Sequence, residues 1–205
     1  MANLVTFLRL LLVFIITALV EYAPPMWQML NVLLLIIIMV LDGLDGIIAR
    51  FRKEDSLFGA VFDIAADRII EITLWITLLG SGFVSIWVPI IFVVRGVLVD
   101  NLRKKYSDIG RAPFSIMQTK WGKILVASRV MRFTYGGFKL ITFAWLLFLF
   151  PATQLWSAFF TSKMTGILIF NDFLIYSTVV LCLLRGFPVI LESFLLANPL
   201  AGLRK

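Results

Sequence analysis

The chain alternates long apolar runs with short polar breaks, and the lengths of the runs are what predict its elements. A helix needs about 20 apolar residues to cross a bilayer. On that measure helices are predicted over residues 5–20, 27–50, 57–79, 84–103, 121–150 and 167–196. The breaks read as connections. Glu21-Tyr22-Ala23-Pro24-Pro25 is an acidic, proline-bearing turn, and no small-residue cleavage site precedes it, so the first run is taken as a retained helix rather than a signal peptide. Residues 51–57 form a charged loop, with Arg52, Lys53, Glu54 and Asp55 solvated and Ser56 placed to cap the next helix. Gly80-Ser81-Gly82 is a turn, and residues 104–119, which include Gly110 and Pro113, form a surface loop. Residues 151–166 read as a helix-free interval with aromatic interface anchors and one lysine, Lys163, and residues 196–205 as a short tail. The expectation is an all-α integral membrane protein, six transmembrane helices in a single bundle, with one domain over residues 1–205.

Composition agrees. Hydrophobic residues make up 61% of the 205 positions and charged ones 15%, with a mean hydropathy of +1.00. The absence of histidine removes imidazole catalysis and His-ligated zinc or haem. Cys182, the single cysteine, lies in the apolar run TVVLCLLRG and reads as a small packing residue. The net charge of +7 comes from basic residues that lie mostly beside membrane segments, which points to anionic headgroups and phosphate substrates rather than nucleic acid. The loops after the second and fourth helices and the tail carry the basic residues, whereas the opposing loops carry only Lys163. By the positive-inside rule both termini and the loop at 51–57 face the cytoplasm.

The polar residues that interrupt the apolar runs change the picture. Between Asp42 and Asp67 the chain reads D-x-x-D-G-x-x-A-R and then G-x-x-x-D-x-x-x-D, filled by Asp42, Asp45, Gly46, Ala49, Arg50, Gly59, Asp63 and Asp67. At 100° per residue the first group spans an arc of about 140° on one helix, and Gly59, Asp63 and Asp67 step round by about 40° each on the next. Two short polar faces therefore confront each other across the loop. Each intramembrane Asp costs roughly 2.5–3.5 kcal/mol at mid-bilayer, and acids this close repel one another. Hard divalent cations, Mg²⁺ or Mn²⁺, are the simplest neutralisers, and such ions complete their shells with substrate phosphates. Two ions suit four acids, since a two-metal site clamps the attacking and leaving oxygens of a phosphoryl displacement. Gly46, Ala49 and Gly59 would let a polar ligand approach the helix backbones, although close helix packing alone also uses small residues.

These residues match the full signature of the CDP-alcohol phosphatidyltransferase family, which the chain resembles at every fixed position. The resemblance implies a six-helix membrane enzyme, usually a homodimer, that joins a CDP-linked lipid such as CDP-diacylglycerol to a polar or phosphorylated alcohol and releases CMP. By the matched positions, Asp42, Asp45, Asp63 and Asp67 would be metal ligands, with Asp67 also the base for the acceptor hydroxyl. Asp42, Asp45, Gly46, Ala49, Arg50, Gly59 and Asp63 would hold the CDP group.

The acceptor is addressed by cations elsewhere. Asn3, Thr6 and Arg9 resemble the opening of phosphatidylglycerophosphate synthases within the family, and Arg95 with Arg103 resembles their paired arginines. For the opening, a helix cap followed by a headgroup-level arginine is an equal alternative. Arg129, Arg132 and Lys139 fall within about 80° of each other on the fifth predicted helix, with Lys123 standing apart. Arg95, Lys123, Arg129, Arg132 and Lys139 are thus the candidates for an acceptor phosphate, with snorkelling to headgroups the competing use. Glycerol 3-phosphate is the leading acceptor. Inositol phosphate stays open, because Gly122-Lys123-Ile124-Leu125-Val126 keeps only the first lysine of the Gly-Lys-x-Lys-Thr those synthases often show. A cation transporter would also use intramembrane acids, but it has no need of small residues and arginines in register with them.

Overall fold

The computed structural model describes residues 2–52, 57–108, 119 and 122–197, with side chains for 4–43, 59, 61–104, 119, 122, 124–126 and 128–195. Among the described residues the chain is helical throughout, with no strand. The helices are α1 (Ala2–Tyr22), a single turn α2 (Pro25–Gln28), α3 (Leu30–Arg52), α4 (Leu57–Leu79), α5 (Trp87–Asp108), α6 (Arg129–Leu155) and α7 (Ser157–Ala197), with a π-helical turn at Lys123–Ala127 before α6.

Among the described residues four stretches have the length and composition to cross a membrane: Leu4–Tyr22, Pro25–Gly43, Arg129–Leu155 and Ser157–Leu195. The chain is therefore an integral membrane protein. The six-span expectation is met by composition only to that extent, because α4 carries Asp63, Asp67, Arg68 and Glu71, and α5 carries Arg95, Asp100, Arg103 and Lys104.

The chain divides into two compact units, residues 1–89 with 142–172 and residues 90–141 with 173–205. In the first unit α1 packs on α3 and α4. The buried stripe of α1 is Thr6, Arg9, Val13, Ile16 and Val20, and that of α3 is Asn31, Leu35 and Ile38. Both follow the three-and-four spacing of one helix face. The turn between these helices is fixed by Gln28, whose buried Nε2 donates to Val20 O at 3.1 Å and Ala23 O at 2.8 Å. The hydroxyls of Thr17 and Thr77 meet at 2.9 Å, one of several ties that set α4 parallel to α1. Trp75 of α4 packs on Phe143 with ring centroids 4.7 Å apart.

The same unit holds the sharpest departure from expectation. Residues 151–166 are helical apart from Trp156, and the chain reverses there, so that Trp145 and Phe170 stack edge to face at 4.9 Å. Pro151 sits inside α6 and is buried. Proline and glycine read as breakers in water, but within apolar surroundings a helix keeps its remaining backbone bonds, because no water competes for them. Trp156 N still bonds Ala152 O at 2.9 Å.

Gly80-Ser81-Gly82 is the turn expected, with Gly82 at φ +75° and Ser81 Oγ donating to Leu78 O at 2.6 Å. Arg68 and Glu71, three apart on α4, pair at 2.8 Å, and Cys182 is buried.

In the second unit Val99, Val126 and Val189 form the core between α5, the π-turn and α7. The expected continuous helix from residue 121 is broken. Ser128 is extended, at ψ 136°, and its Oγ accepts from Met131 N at 3.2 Å, so it caps a new helix at Arg129. The angular relation of Lys123 to Arg129, Arg132 and Lys139 therefore does not hold. Glu192 on α7 is buried and accepts from the Thr119 hydroxyl, anchoring the chain just ahead of the π-turn.

Candidate functional site

Helix register carries the buried faces of α1 and α3 straight into the acidic motif. On α3 the stripe of Asn31, Leu35 and Ile38 continues to Asp42 one turn later. On α4 Asp63 and Asp67 flank Ala66, the first residue of the buried run Ala66, Ile70 and Leu74. Asp42, Asp63 and Asp67 each offer an oxygen within 4.8 Å of the others, so they could hold a metal ion together. Their side chains are 42%, 46% and 52% exposed, so the triad opens outward.

Arg9 closes the triad from the protein side. It is only 3% exposed, its Nη2 lies 2.7 Å from Asp42 Oδ1 and 2.5 Å from Asp67 Oδ1, and its Nη1 lies 3.1 Å from Asp63 Oδ1. The headgroup-level alternative for Arg9 is thereby overturned, since the guanidinium turns inward onto carboxylates. Sequence reading placed Arg9 near the acceptor's recognition, not among the acids. The signal available was its place on the Thr6, Val13, Ile16 stripe, but α1 is apolar on every side, so its buried face was not marked.

Of the remaining motif residues, Gly59 lies partly exposed on α4 one turn before Asp63. The side chains of Asp45, Gly46, Ala49 and Arg50 lie outside the described residues, as does that of Lys123.

The other cations are gathered differently from the expectation. Arg95 on α5 is 6% exposed and packs across Gly186 of α7, where an added Cβ would meet Arg95 Cγ at 2.8 Å and Nε at 3.0 Å. Its Nε is buried without a hydrogen-bond partner among the described residues. Next to Gly186, Arg185 stacks its guanidinium over buried Tyr135 at 5.0 Å, and Lys139 lies 5.6 Å from the same ring. Arg95, Lys139 and Arg185 thus form one basic group on three helices. Arg129 and Arg132 are exposed on the first turn of α6. In the sequence Arg185 is a lone charge in an apolar run, and nothing there indicates that α7 brings it to Tyr135.

The model of the CDP-alcohol phosphatidyltransferase family matches residues 1–183. Several curated proteins are similar to this chain, and each is named CDP-diacylglycerol–glycerol-3-phosphate 3-phosphatidyltransferase. One from Pectobacterium atrosepticum is 28% identical over 115 residues, covering 54% of this chain and 62% of its own length. A second, from Sodalis glossinidius, is 28% identical over 63% of this chain and 73% of its own length. A third, from Salmonella choleraesuis, is 27% identical over 71% of this chain and 76% of its own. With the motif complete in sequence and its two ends brought together by α3 and α4, the chain belongs to the CDP-alcohol phosphatidyltransferase family.

Proposed function

We propose that the protein transfers the phosphatidyl group of CDP-diacylglycerol to glycerol 3-phosphate and releases CMP. The observation that carries this reading is the convergence of Asp42, Asp63 and Asp67 from two helices, in a chain whose relatives bear that activity in their names. The donor set fits Mg²⁺ or Mn²⁺. All three donors are hard oxygens, and opposite ligands across an octahedral ion at 2.0–2.1 Å lie about 4.2 Å apart. A spread of up to 4.8 Å therefore admits one ion after a small contraction, or two ions that share the acids. Asp42, Asp63 and Asp67, with Asp45, would hold them. Once bound, such ions neutralise the pyrophosphate and stabilise the departing CMP.

The chain's own residues supply the rest. Asp67, the most exposed of the triad, takes the proton of the acceptor hydroxyl. That oxygen forms a bond to the lipid-linked β-phosphorus as the bond from phosphorus to the CMP oxygen breaks, in a single displacement with no enzyme-bound intermediate. Gly46, Ala49, Arg50 and Gly59 cradle the CDP group. Arg95, Lys139 and Arg185 bind the acceptor's phosphate, with Lys123, Arg129 and Arg132 contributing attraction from the loop side. The whole of residues 1–205 acts as one transmembrane domain with six spans, in a homodimer, with both termini and the site facing the cytoplasm. The distribution of basic residues supports that orientation.

The test is CMP release from CDP-diacylglycerol with a panel of acceptors, with and without Mn²⁺ or Mg²⁺. Release is expected with glycerol 3-phosphate and to cease in EDTA. Release with inositol phosphate instead would replace the acceptor, and release with none would overturn the enzyme reading.

A further inference from the structure

Arg9 lies on α1, outside the acidic motif, yet it touches all three described acids of that motif. We propose that Arg9 is an exchangeable counter-ion: it holds Asp42, Asp63 and Asp67 together when no divalent cation is present and yields their oxygens when one binds. This rests on reading the triad as a metal centre.

Charge is the first argument. Three ionised carboxylates within 4.8 Å cannot stay assembled at the end of a membrane helix bundle without a cation among them. One guanidinium leaves the group with a net charge of about −2, enough to gather the acids and too little to satisfy them.

Geometry supplies the second. Nη2 touches Asp42 Oδ1 and Asp67 Oδ1 at once, at 2.7 and 2.5 Å. A cation bonded to those oxygens at about 2.0–2.6 Å would stand against Nη2, with two positive centres in near contact. Shared oxygens set the two positive centres against each other, so a bound cation weakens the hold of Arg9 on them.

Access supplies the third. Arg9 is 3% exposed, whereas the acids are about half exposed, so an incoming cation meets the carboxylates from the open side while Arg9 still holds them from below. The triad need not fall apart between the two states. An arginine suits this task because its planar fork reaches several carboxylates, which a lysine ammonium reaches less well.

The experiment measures Mn²⁺ binding to the purified full chain in nanodiscs, without substrate, by the loss of the free Mn²⁺ resonance. Thermal unfolding is followed in parallel with EDTA and with Mn²⁺. Arg9→Gln should bind Mn²⁺ about tenfold more tightly or better, because a competing charge is gone. Its unfolding midpoint should fall in EDTA and recover with Mn²⁺ by more than the wild-type midpoint rises. Arg9→Lys keeps the charge and loses the fork, so it should bind Mn²⁺ more tightly than wild type by a smaller factor. That variant decides the matter if Arg9→Gln does not fold. Mn²⁺ affinity that is unchanged or weakened in these variants would overturn the proposal and leave Arg9 a fixed structural partner of the acids. A wild-type chain that binds no Mn²⁺ would overturn the metal reading itself.

Discussion

Gly186→Ala probes the basic group with a single methyl. The added carbon would lie 2.8 Å from Arg95 Cγ, 3.0 Å from Nε and 3.4 Å from Cδ. Carbon atoms settle at about 3.5–4.0 Å, so the methyl intrudes on Cγ by about 0.7 Å or more. Cγ lies near the root of the side chain and cannot retreat unless Arg95 leaves its rotamer, at about 0.5–1.5 kcal/mol. Overpacking a filled interior costs about 1–3 kcal/mol in total, and Arg95 is buried. The unfolding midpoint should therefore drop, and KM for glycerol 3-phosphate should rise by up to about tenfold, the equivalent of about 1.4 kcal/mol, with kcat changed less. A double-mutant cycle isolates the cause. In an Arg95→Ala background the Cγ, Cδ and Nε atoms are gone, so adding Gly186→Ala should leave the midpoint where Arg95→Ala put it. An equal drop in both backgrounds would refute the contact as the reason.

Three further outcomes follow from the same geometry. Asp67→Asn should abolish CMP release while CDP-diacylglycerol still binds, and full turnover would remove Asp67 as the base. Arg185→Gln should raise KM for glycerol 3-phosphate far more than it lowers kcat; an unchanged KM would take Arg185 out of acceptor binding. Gln28→Leu strips the bonds to Val20 O and Ala23 O and should cost about 1–3 kcal/mol of stability with specific activity retained, checked by thermal unfolding alongside the CMP assay.

The acidic motif was legible because charge in an apolar run is costly and so stands out: Asp42, Asp63 and Asp67 were placed together from spacing alone, and the structure brings them within 4.8 Å. The α4 boundaries and the glycine turn after it were legible for the same reason, since each is marked by a change in residue type. Part of what was not legible has one cause. In a chain apolar on all sides, hydrophobicity does not distinguish the face toward lipid from the face toward other helices. Arg9 could therefore not be assigned to the buried stripe of α1, nor Arg185 to the Tyr135 side of α7. The interval at 151–166 failed for a related reason. In water Pro151 would end a helix, whereas here it lies buried inside one. The break at Ser128 depends on one hydroxyl capping one backbone N–H, a choice many serines could make and few do.

The most direct test is anomalous diffraction from crystals of the protein grown with Mn²⁺. A manganese peak bonded to carboxylate oxygens of both α3 and α4, with Asp42, Asp63 and Asp67 among its ligands, is the predicted result. Manganese bound elsewhere on a protein whose CMP release still requires it would contradict the account.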